Sequence, residues 1–157
     1  MERIKIGITH GDINGVGYEL ILKTFQTEEM CALCTPVIYG SPKSATYHRK
    51  AIGIQTNFQV IETAEQAKSG HLNMINCFDE EEQKIEIGQA TEEAGAAALK
   101  ALNMAMEDLR LGAIDALVTA PLNNSTIKLD NGEVFPGQTA YIEKCIGEGR
   151  KALKLFI

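Results

Sequence analysis

The sequence has no run of basic residues, and its acidic side chains outnumber the basic ones. It contains 21 Asp and Glu against 15 Lys and Arg, which gives a formal net charge of −6 at pH 7. A protein that wraps nucleic acid neutralises the phosphates with clustered Lys and Arg. The charge balance therefore argues against nucleic acid as a partner.

Long apolar stretches are also missing. The longest candidate, Ala113–Leu122, is interrupted by Asp115, whereas a helix that crosses a bilayer needs about 20 apolar residues. The first residues, Met1–Ile6, lack the basic and apolar layout of a secretion signal. These patterns predict a cytoplasmic protein with no membrane partner.

Cysteine is too scarce and too irregularly spaced for a disulfide scaffold, and we expect reduced thiols. Cys31 and Cys34 have C-x-x-C spacing but supply only two of the four ligands of a structural zinc site, so ordinary packing is favoured. The three histidines are scattered along the chain, and only His10 lies in a candidate site loop. We therefore predict no metal site and no catalytic residue from these side chains.

What the sequence does contain is typical of a folded globular protein, with 45% apolar and 23% charged residues. The patterns predict strands over Arg3–Thr9, Thr35–Tyr39, Asn57–Ile61, Leu72–Cys77, Asp115–Thr119 and Ala152–Ile157, with a short extended piece over Lys84–Ile87. They predict helices over Gly17–Glu28, Pro42–Ile52, Thr91–Leu111 and Thr139–Cys145. Acidic Asp79–Glu82 is interpreted as a solvated turn. Alternating strands and helices predict an α/β fold, a mostly parallel sheet with helices on both faces.

A glycine-rich loop joins the first predicted strand to the first helix. Its glycines, Gly11, Gly15 and Gly17, match neither the dinucleotide fingerprint nor the P-loop. Glycines allow tight turns, and free amides at a helix start attract anions. With Asp12 beside them, these residues form a possible ligand loop, and a purely structural turn is the alternative.

Two further loops contain polar side chains that could hold a ligand. Thr119 and Asn123 lie in the loop after a buried strand, and Gln138 and Thr139 follow a Pro-Gly turn. In open α/β sheets, ligands bind outside the carboxyl ends of the strands. Loops are rich in such residues in any case, so a structural role is the competing interpretation.

The three loops together resemble a known family. The segments Ile8–Glu19, Leu117–Asn123 and Phe135–Thr139 resemble, in order and spacing, the 4-hydroxythreonine-4-phosphate dehydrogenase family of pyridoxal phosphate biosynthesis. The resemblance runs through essentially the whole chain, including Tyr39–Ser41. Family members are longer, so the chain resembles their N-terminal half.

The resemblance implies part of a two-domain, isocitrate-dehydrogenase-like architecture. Residues 1–134 would form the main α/β domain, and residues 135–157 would either start a second domain or pack on the first. The family acts on a phosphorylated small-molecule substrate with NAD or NADP and a divalent metal such as Zn, Mg or Co. Oxidation is followed by loss of carbon dioxide. A homodimer, or self-association through the Ala152–Ile157 strand, is expected.

Few functional residues of the family carry over. Its G-H-T-E motif contributes a histidine and a threonine to substrate binding, which fall here on Gln138 and Thr139, with Ala140 in place of the glutamate. A lysine that ends another motif is replaced by Asn124. The family's metal ligands lie in the half that this chain lacks. The resemblance thus implies a dehydrogenase whose activity is impaired in this chain.

Two alternatives to this function remain open. The first is a dehydrogenase of another four-carbon acid-sugar phosphate. The second is a binding domain that holds a phosphorylated ligand without catalysis.

Overall fold

The computed structural model describes residues 3–79 and 84–152. Its sheet has five strands in the order β3-β4-β2-β1-β5, and every pair of neighbours is parallel. The strands are β1 (Lys5–Thr9), β2 (Thr35–Gly40), β3 (Gln59–Ile61), β4 (Asn73–Asn76) and β5 (Ala116–Thr119). The predicted α/β class with a parallel sheet is confirmed.

Five α-helices connect and cover these strands. They are α1 (Gly17–Thr24), α2 (Glu28–Leu33), α3 (Pro42–Ala51), α4 (Glu92–Leu111) and α5 (Gln138–Ile146). Two 3₁₀ turns cover Ala64–Gln66 and Asn124–Thr126. None of the helices within the described ranges is both long and apolar enough to cross a membrane.

Side chains along β1 point alternately to the two faces of the sheet, and helices cover both faces. Ile6 and Ile8 face α1 and α2, with which they line a common apolar groove. Gly7 faces the opposite side, where an added Cβ would meet the side chains of Ile114 and Tyr39. The Tyr39 hydroxyl donates a hydrogen bond to Asp108 of α4 at 2.5 Å, so α4 covers this second face.

The core contains two apolar clusters. The larger lies between the sheet and its helices, and its fully buried members include Tyr18, Leu22, Val37, Ile38 and Met74. The smaller joins Leu102 and Met106 of α4 to Ile127 and Phe135, and α5 packs against it. Apolar side chains of α5 therefore pack in the same cluster as α4. The division of the chain into two domains stays a prediction.

Three helix ends have residues that typically begin or end a helix. The Ser41 side chain caps α3 by accepting a hydrogen bond from the Ser44 amide, and Pro42 occupies the first helical position. Thr91 caps α4 in the same way. Gly112 ends α4 in the left-handed conformation, with φ of 77°.

Three local predictions are wrong. The helix predicted over Gly17–Glu28 ends at Thr24, and a separate α2 starts at Glu28 after Thr27, whose backbone is extended. Lys84–Ile87 forms no strand, because the Glu86 amide is held by the Asn14 side chain instead of a neighbouring strand. Thr139 does not cap α5, since the helix already begins at Gln138, after Gly137 with φ of 93°.

Two predicted features lie mostly or wholly outside the described residues. Of the terminal strand predicted over Ala152–Ile157, only Ala152 is described. Of the acidic turn predicted over Asp79–Glu82, only Asp79 is described.

Candidate functional site

The candidate site lies at the carboxyl ends of β1 and β5. The chain runs from β1 to β2 on one side, whereas β5 lies on the other side of β1. Ligands of open α/β sheets bind at such a reversal of strand order. The loops that follow β1 and β5 meet here, and the Asp12 amide donates a hydrogen bond to the Pro121 carbonyl at 2.9 Å.

Two of the predicted glycines pack closely against backbone carbonyls of the chain. Gly11 has φ of +71°, and a Cβ there would lie 2.3 Å from the Pro121 carbonyl oxygen. A Cβ at Gly17 would lie 2.0 Å from the His10 carbonyl oxygen. Both positions require glycine for close packing within the chain. Gly15 is less confined, since a Cβ there would lie 3.5 Å from its nearest neighbouring atoms, which belong to Asp12.

Asn14 anchors the glycine loop to the start of α4. Its side-chain amide donates to the Gln89 carbonyl at 3.0 Å and to the Thr91 hydroxyl at 3.2 Å. Its Oδ1 accepts from the Glu86 amide at 2.7 Å, and its backbone carbonyl accepts from the Gly88 amide at 2.8 Å. Asn14 is buried, so these bonds satisfy groups that water cannot reach.

A first cavity of about 570 Å³ lies between the two loops. It is lined by Asp12, Gly15 and Asn123 from the predicted set, together with Asn124. The Asn123 Oδ1 accepts hydrogen bonds from the amide and hydroxyl of Ser125, which fixes its orientation. The cavity is within the size range of small-molecule sites.

A second cavity of about 520 Å³ lies at the N-terminus of α5. Gln138 and Thr139 line it, as does Glu143. The Gln138 side-chain amide donates to the Ala120 carbonyl at 3.2 Å, while its Oε1 is buried and has no partner in the described part of the chain. No side chain caps the first turn of α5, so backbone amides face this cavity.

The two cavities form one cleft, because Pro121, Leu122 and Asn124 line both. Its charged lining residues are Asp12 and Glu143, and no described Lys, Arg or His lines either cavity. The Glu143 carboxylate already accepts a hydrogen bond from the Ala152 amide at 2.8 Å. The cleft therefore offers hydrogen bonds to a phosphorylated ligand but no positive side chain.

Three predicted site residues, Gly11, Gly17 and Thr119, line neither cavity. Thr119 lines the apolar groove beside α1 instead. A larger cavity of about 870 Å³ lies between α3 and the end of β4, lined by residues such as Lys43 and Phe78. It contains none of the predicted site residues. We assign the site to the cleft because the reversal of strand order lies there.

Beneath the glycine loop, His10 is fully buried in a stack of rings. Its ring lies 5.3 Å from that of Tyr18, which in turn stacks on His48 at 5.2 Å. Neither ring nitrogen of His10 makes a hydrogen bond of normal geometry. Burial lowers the pKa of His10 to about 4; the Ala97 carbonyl partly opposes this, and the nearby His48 adds to it. His10 is thus a neutral core residue.

The remaining candidate ligands are not brought together. Within residues 3–79 and 84–152, no group of three or more His, Cys, Asp and Glu side chains stands close enough to hold a metal ion. The four cysteines are free. Burial raises the pKa of the Cys31 and Cys34 thiols, so both are protonated at neutral pH.

Sequence reasoning missed residues that build the cleft or support its loops, among them Asn14, Glu143 and Pro121. Asn14 makes contacts 72 to 77 residues away along the chain, which no local pattern reveals. Glu143 lies one helical turn beyond Thr139, a spacing that could have indicated it. Pro121 acts through its backbone carbonyl, which carries no sequence signal.

The fold and the cleft define an open-sheet α/β protein with a candidate small-molecule site at the carboxyl ends of β1 and β5. Comparison with known proteins gives the family. The model described as pyridoxal phosphate biosynthetic protein PdxA matches residues 32–157, and the chain belongs to this family.

Individual relatives agree with this assignment. The chain is 52% identical to a 4-hydroxythreonine-4-phosphate dehydrogenase of Bacteroides thetaiotaomicron, over 99% of this chain and 42% of the relative. It is 34% identical to one from Aquifex aeolicus, over 97% of this chain and 46% of the relative. A crystal structure of a 4-hydroxythreonine-4-phosphate dehydrogenase from Burkholderia phymatum superposes with a TM-score of 0.77 at 31% identity, covering 92% of this chain and 44% of that one. The chain spans less than half the length of these relatives.

Proposed function

We propose that this chain is part of a 4-hydroxythreonine-4-phosphate dehydrogenase and supplies one wall of its substrate cleft. One observation carries the proposal. The three loops that resemble the family, which are far apart in the sequence, meet around two cavities that share Pro121, Leu122 and Asn124. Family membership and the names of the relatives support the reaction.

The cleft residues suit the polar parts of this substrate. The Thr139 hydroxyl, the Asn124 amide and the amides in the first turn of α5 can donate hydrogen bonds to phosphate oxygens. The Asp12 carboxylate suits the substrate's ammonium group. We infer that the charge of the phosphate is balanced by residues outside the described part of the chain, because no described cationic side chain lines the cleft.

We propose that the described residues alone do not hold NAD, NADP or the divalent metal. Gly11 and Gly17 pack closely against backbone atoms of Pro121 and His10, and their spacing does not match the dinucleotide fingerprint. No metal-binding group of side chains is present in the described part of the chain. We propose that both are bound mainly by the remaining part of the enzyme. The nicotinamide cofactor would accept the hydride, and the metal would polarise the substrate oxygens. A cytoplasmic homodimer remains our prediction.

A chimera tests the proposal. This chain replaces the matched segment of the Bacteroides thetaiotaomicron relative, and NADH formation is followed with 4-phosphohydroxythreonine and a divalent metal. We expect turnover by the chimera and none by the isolated chain. A folded chimera that binds NAD but forms no NADH would contradict the proposal, and turnover by the isolated chain would contradict its dependence on the remaining part.

A second substrate is favoured by other relatives. The chain is 31% identical to a putative D-threonate 4-phosphate dehydrogenase of Oceanobacillus iheyensis and 29% identical to a D-threonate 4-phosphate dehydrogenase of Cupriavidus necator. D-threonate lacks the ammonium group that Asp12 suits, so we expect a higher kcat/KM for 4-phosphohydroxythreonine. Assays of the chimera on both substrates decide between them.

A further inference from the structure

The cavity of about 870 Å³ between α3 and the carboxyl end of β4 has no part in the proposed reaction. It shares no lining residue with the two cavities of the substrate cleft, and it is larger than either of them. Its volume is within the range of small-molecule sites. It is therefore a second place on the molecule where a ligand can bind.

This cavity lies beside a part of the chain that has no acidic residues. Residues 30–61 contain no Asp or Glu, although the whole chain has 21 of them and a formal net charge of −6. Lys43 and Lys50 of this segment line the cavity, and Asp79 is the only acid among the described lining residues. A cationic cavity on an acidic protein favours an anionic ligand.

One face of α3 presents an aromatic ring between these two lysines. Lys43 lies one helical turn before Tyr47, and Lys50 lies one turn after it, so all three side chains line the cavity. The Tyr47 side chain is 47% exposed, which leaves its ring open for stacking. Lys50 forms no ion pair with an acid in the described part of the chain. Its flexible stem allows the ammonium group to reach over the ring.

The rest of the lining combines apolar and polar groups. Val60 of β3 is 57% exposed and Phe78 is nearly buried, and both line the cavity. Asn76 lies at the end of β4, where its Oδ1 accepts a hydrogen bond from the Phe78 amide at 3.2 Å. The NH₂ group of Asn76 therefore remains a donor for a ligand. Apolar walls with a few placed polar groups are typical of sites for small ring compounds.

We propose that this cavity binds a phosphorylated compound that carries a flat heteroaromatic ring. Lys43 and Lys50 bind the phosphate, whose charge of nearly two at neutral pH matches two lysines better than a single carboxylate does. The ring stacks on Tyr47 and covers Val60, and Asn76 binds a polar group of the ring. Two sources share this chemistry, a mononucleotide and the phosphorylated pyridine ring that gives the family its name.

Isothermal titration calorimetry on the 157-residue chain tests the proposal. The probes are adenosine monophosphate and pyridoxine phosphate, which lacks the aldehyde that would react with lysine. Adenosine, pyridoxine and inorganic phosphate are the separate halves of these probes. We expect saturable binding of at least one ring phosphate, about tenfold or more tighter than either of its halves. The ring phosphate that binds more tightly identifies the source.

Three outcomes of the titration would overturn the proposal. The first is no saturable binding of either ring phosphate. The second is equal affinity for inorganic phosphate, because the ring would then contribute nothing. The third is binding by the isolated chain but not by the chimera described above, because the longer protein would then cover the cavity.

Substitutions in the cavity locate the ligand. We expect Lys50→Gln to weaken binding by about tenfold, whereas Lys68→Gln makes the same change outside the cavity and should have no effect. Tyr47→Leu should weaken binding, and Tyr47→Phe should retain it because Phe keeps the ring. Lys50 and Tyr47 are exposed, so these variants should fold normally. Equal affinities of Lys50→Gln and Lys68→Gln would contradict the site.

A variant of the substrate cleft separates this site from the proposed reaction. Thr139→Val should leave the affinity for the ring phosphate unchanged, because Thr139 does not line the cavity beside α3. Weaker binding in Thr139→Val but not in Lys50→Gln would place the ring phosphate in the cleft and contradict a second site. The inference does not depend on the reaction, so its failure would leave the proposed function standing.

Discussion

The backbone amide of Asp12 donates a hydrogen bond to the carbonyl of Pro121 at 2.9 Å, and this contact joins the loops after β1 and β5. Both residues line the cleft. The same carbonyl oxygen leaves no room for a side chain on Gly11, where a Cβ would lie 2.3 Å away. The two loops therefore form one unit, and its integrity depends on a glycine.

Gly11→Ala should be strongly destabilising. Gly11 combines a φ of +71° with this contact, whereas Gly53 has a similar φ of +68° and nothing within 4 Å. We expect Gly53→Ala to lower the free energy of unfolding by about 1 kcal/mol and Gly11→Ala by about 2–4 kcal/mol. Urea denaturation of the two variants measures both. Equal losses would show that the contact with Pro121 is unimportant.

Asn14→Ala should release the segment before α4. The substitution removes the part-buried hydrogen bonds to the Glu86 amide and the Gln89 carbonyl, at a cost of about 0.5–1.5 kcal/mol for each bond. Hydrogen exchange at Glu86 and Gly88 should accelerate accordingly. Asn131→Ala removes a single exposed bond to the Glu133 amide and serves as the control. Unchanged exchange at Glu86 in Asn14→Ala would contradict the anchoring role.

His10 should make the protein sensitive to acid. Its folded-state pKa of about 4 lies below the ordinary 6.5, so the unfolded state binds the proton more readily. Neutral His10 contributes fully to the free energy of unfolding above about pH 6.5, and this contribution is lost as the pH falls toward 4. The loss amounts to about 3 kcal/mol.

The variant His10→Phe isolates this effect, because Phe retains a ring against Tyr18 without a titratable nitrogen. We expect a shallower decrease of the free energy of unfolding between pH 6.5 and pH 4, as measured by urea denaturation. His71→Phe, which changes an exposed histidine, should retain the wild-type slope. An unchanged slope in His10→Phe would show that other groups dominate acid unfolding.

Gly95→Ala should destabilise the protein, although alanine normally stabilises a helix by about 1 kcal/mol relative to glycine. A Cβ at Gly95 would lie 2.0 Å from the carbonyl oxygen of Thr126, in the turn that follows Asn123 and Asn124. We expect a loss of about 1–3 kcal/mol, measured by thermal unfolding. Ala96→Gly, at an exposed neighbouring position, should cost about 1 kcal/mol. Stabilisation by Gly95→Ala would refute the close packing of α4 on this turn.

Much of the fold could be predicted because its signals are local. The alternation in β1, the Ser41-Pro42 cap and the Gly112 stop each depend on a few neighbouring residues. The break between α1 and α2 could not be predicted, since the three residues that separate the helices, Phe25–Thr27, include no glycine or proline.

The candidate site could be predicted only in part. Residue types identified Asp12, Gln138 and Thr139, and the structure brings them to one cleft. The packing roles of Gly11 and Gly17 depend on backbone carbonyls of other segments, and such contacts leave no mark on composition or spacing.

The most direct test of the proposed cleft is the kcat/KM of the chimera for 4-phosphohydroxythreonine with and without Thr139→Val. Thr139 lines the cavity at the start of α5, and loss of a hydrogen bond to a charged group should lower kcat/KM by about 10- to 100-fold. Thr46→Val makes the same chemical change on α3, outside the cleft, and should have little effect. A Thr139→Val chimera with unchanged kcat/KM would contradict the assignment of the substrate cleft.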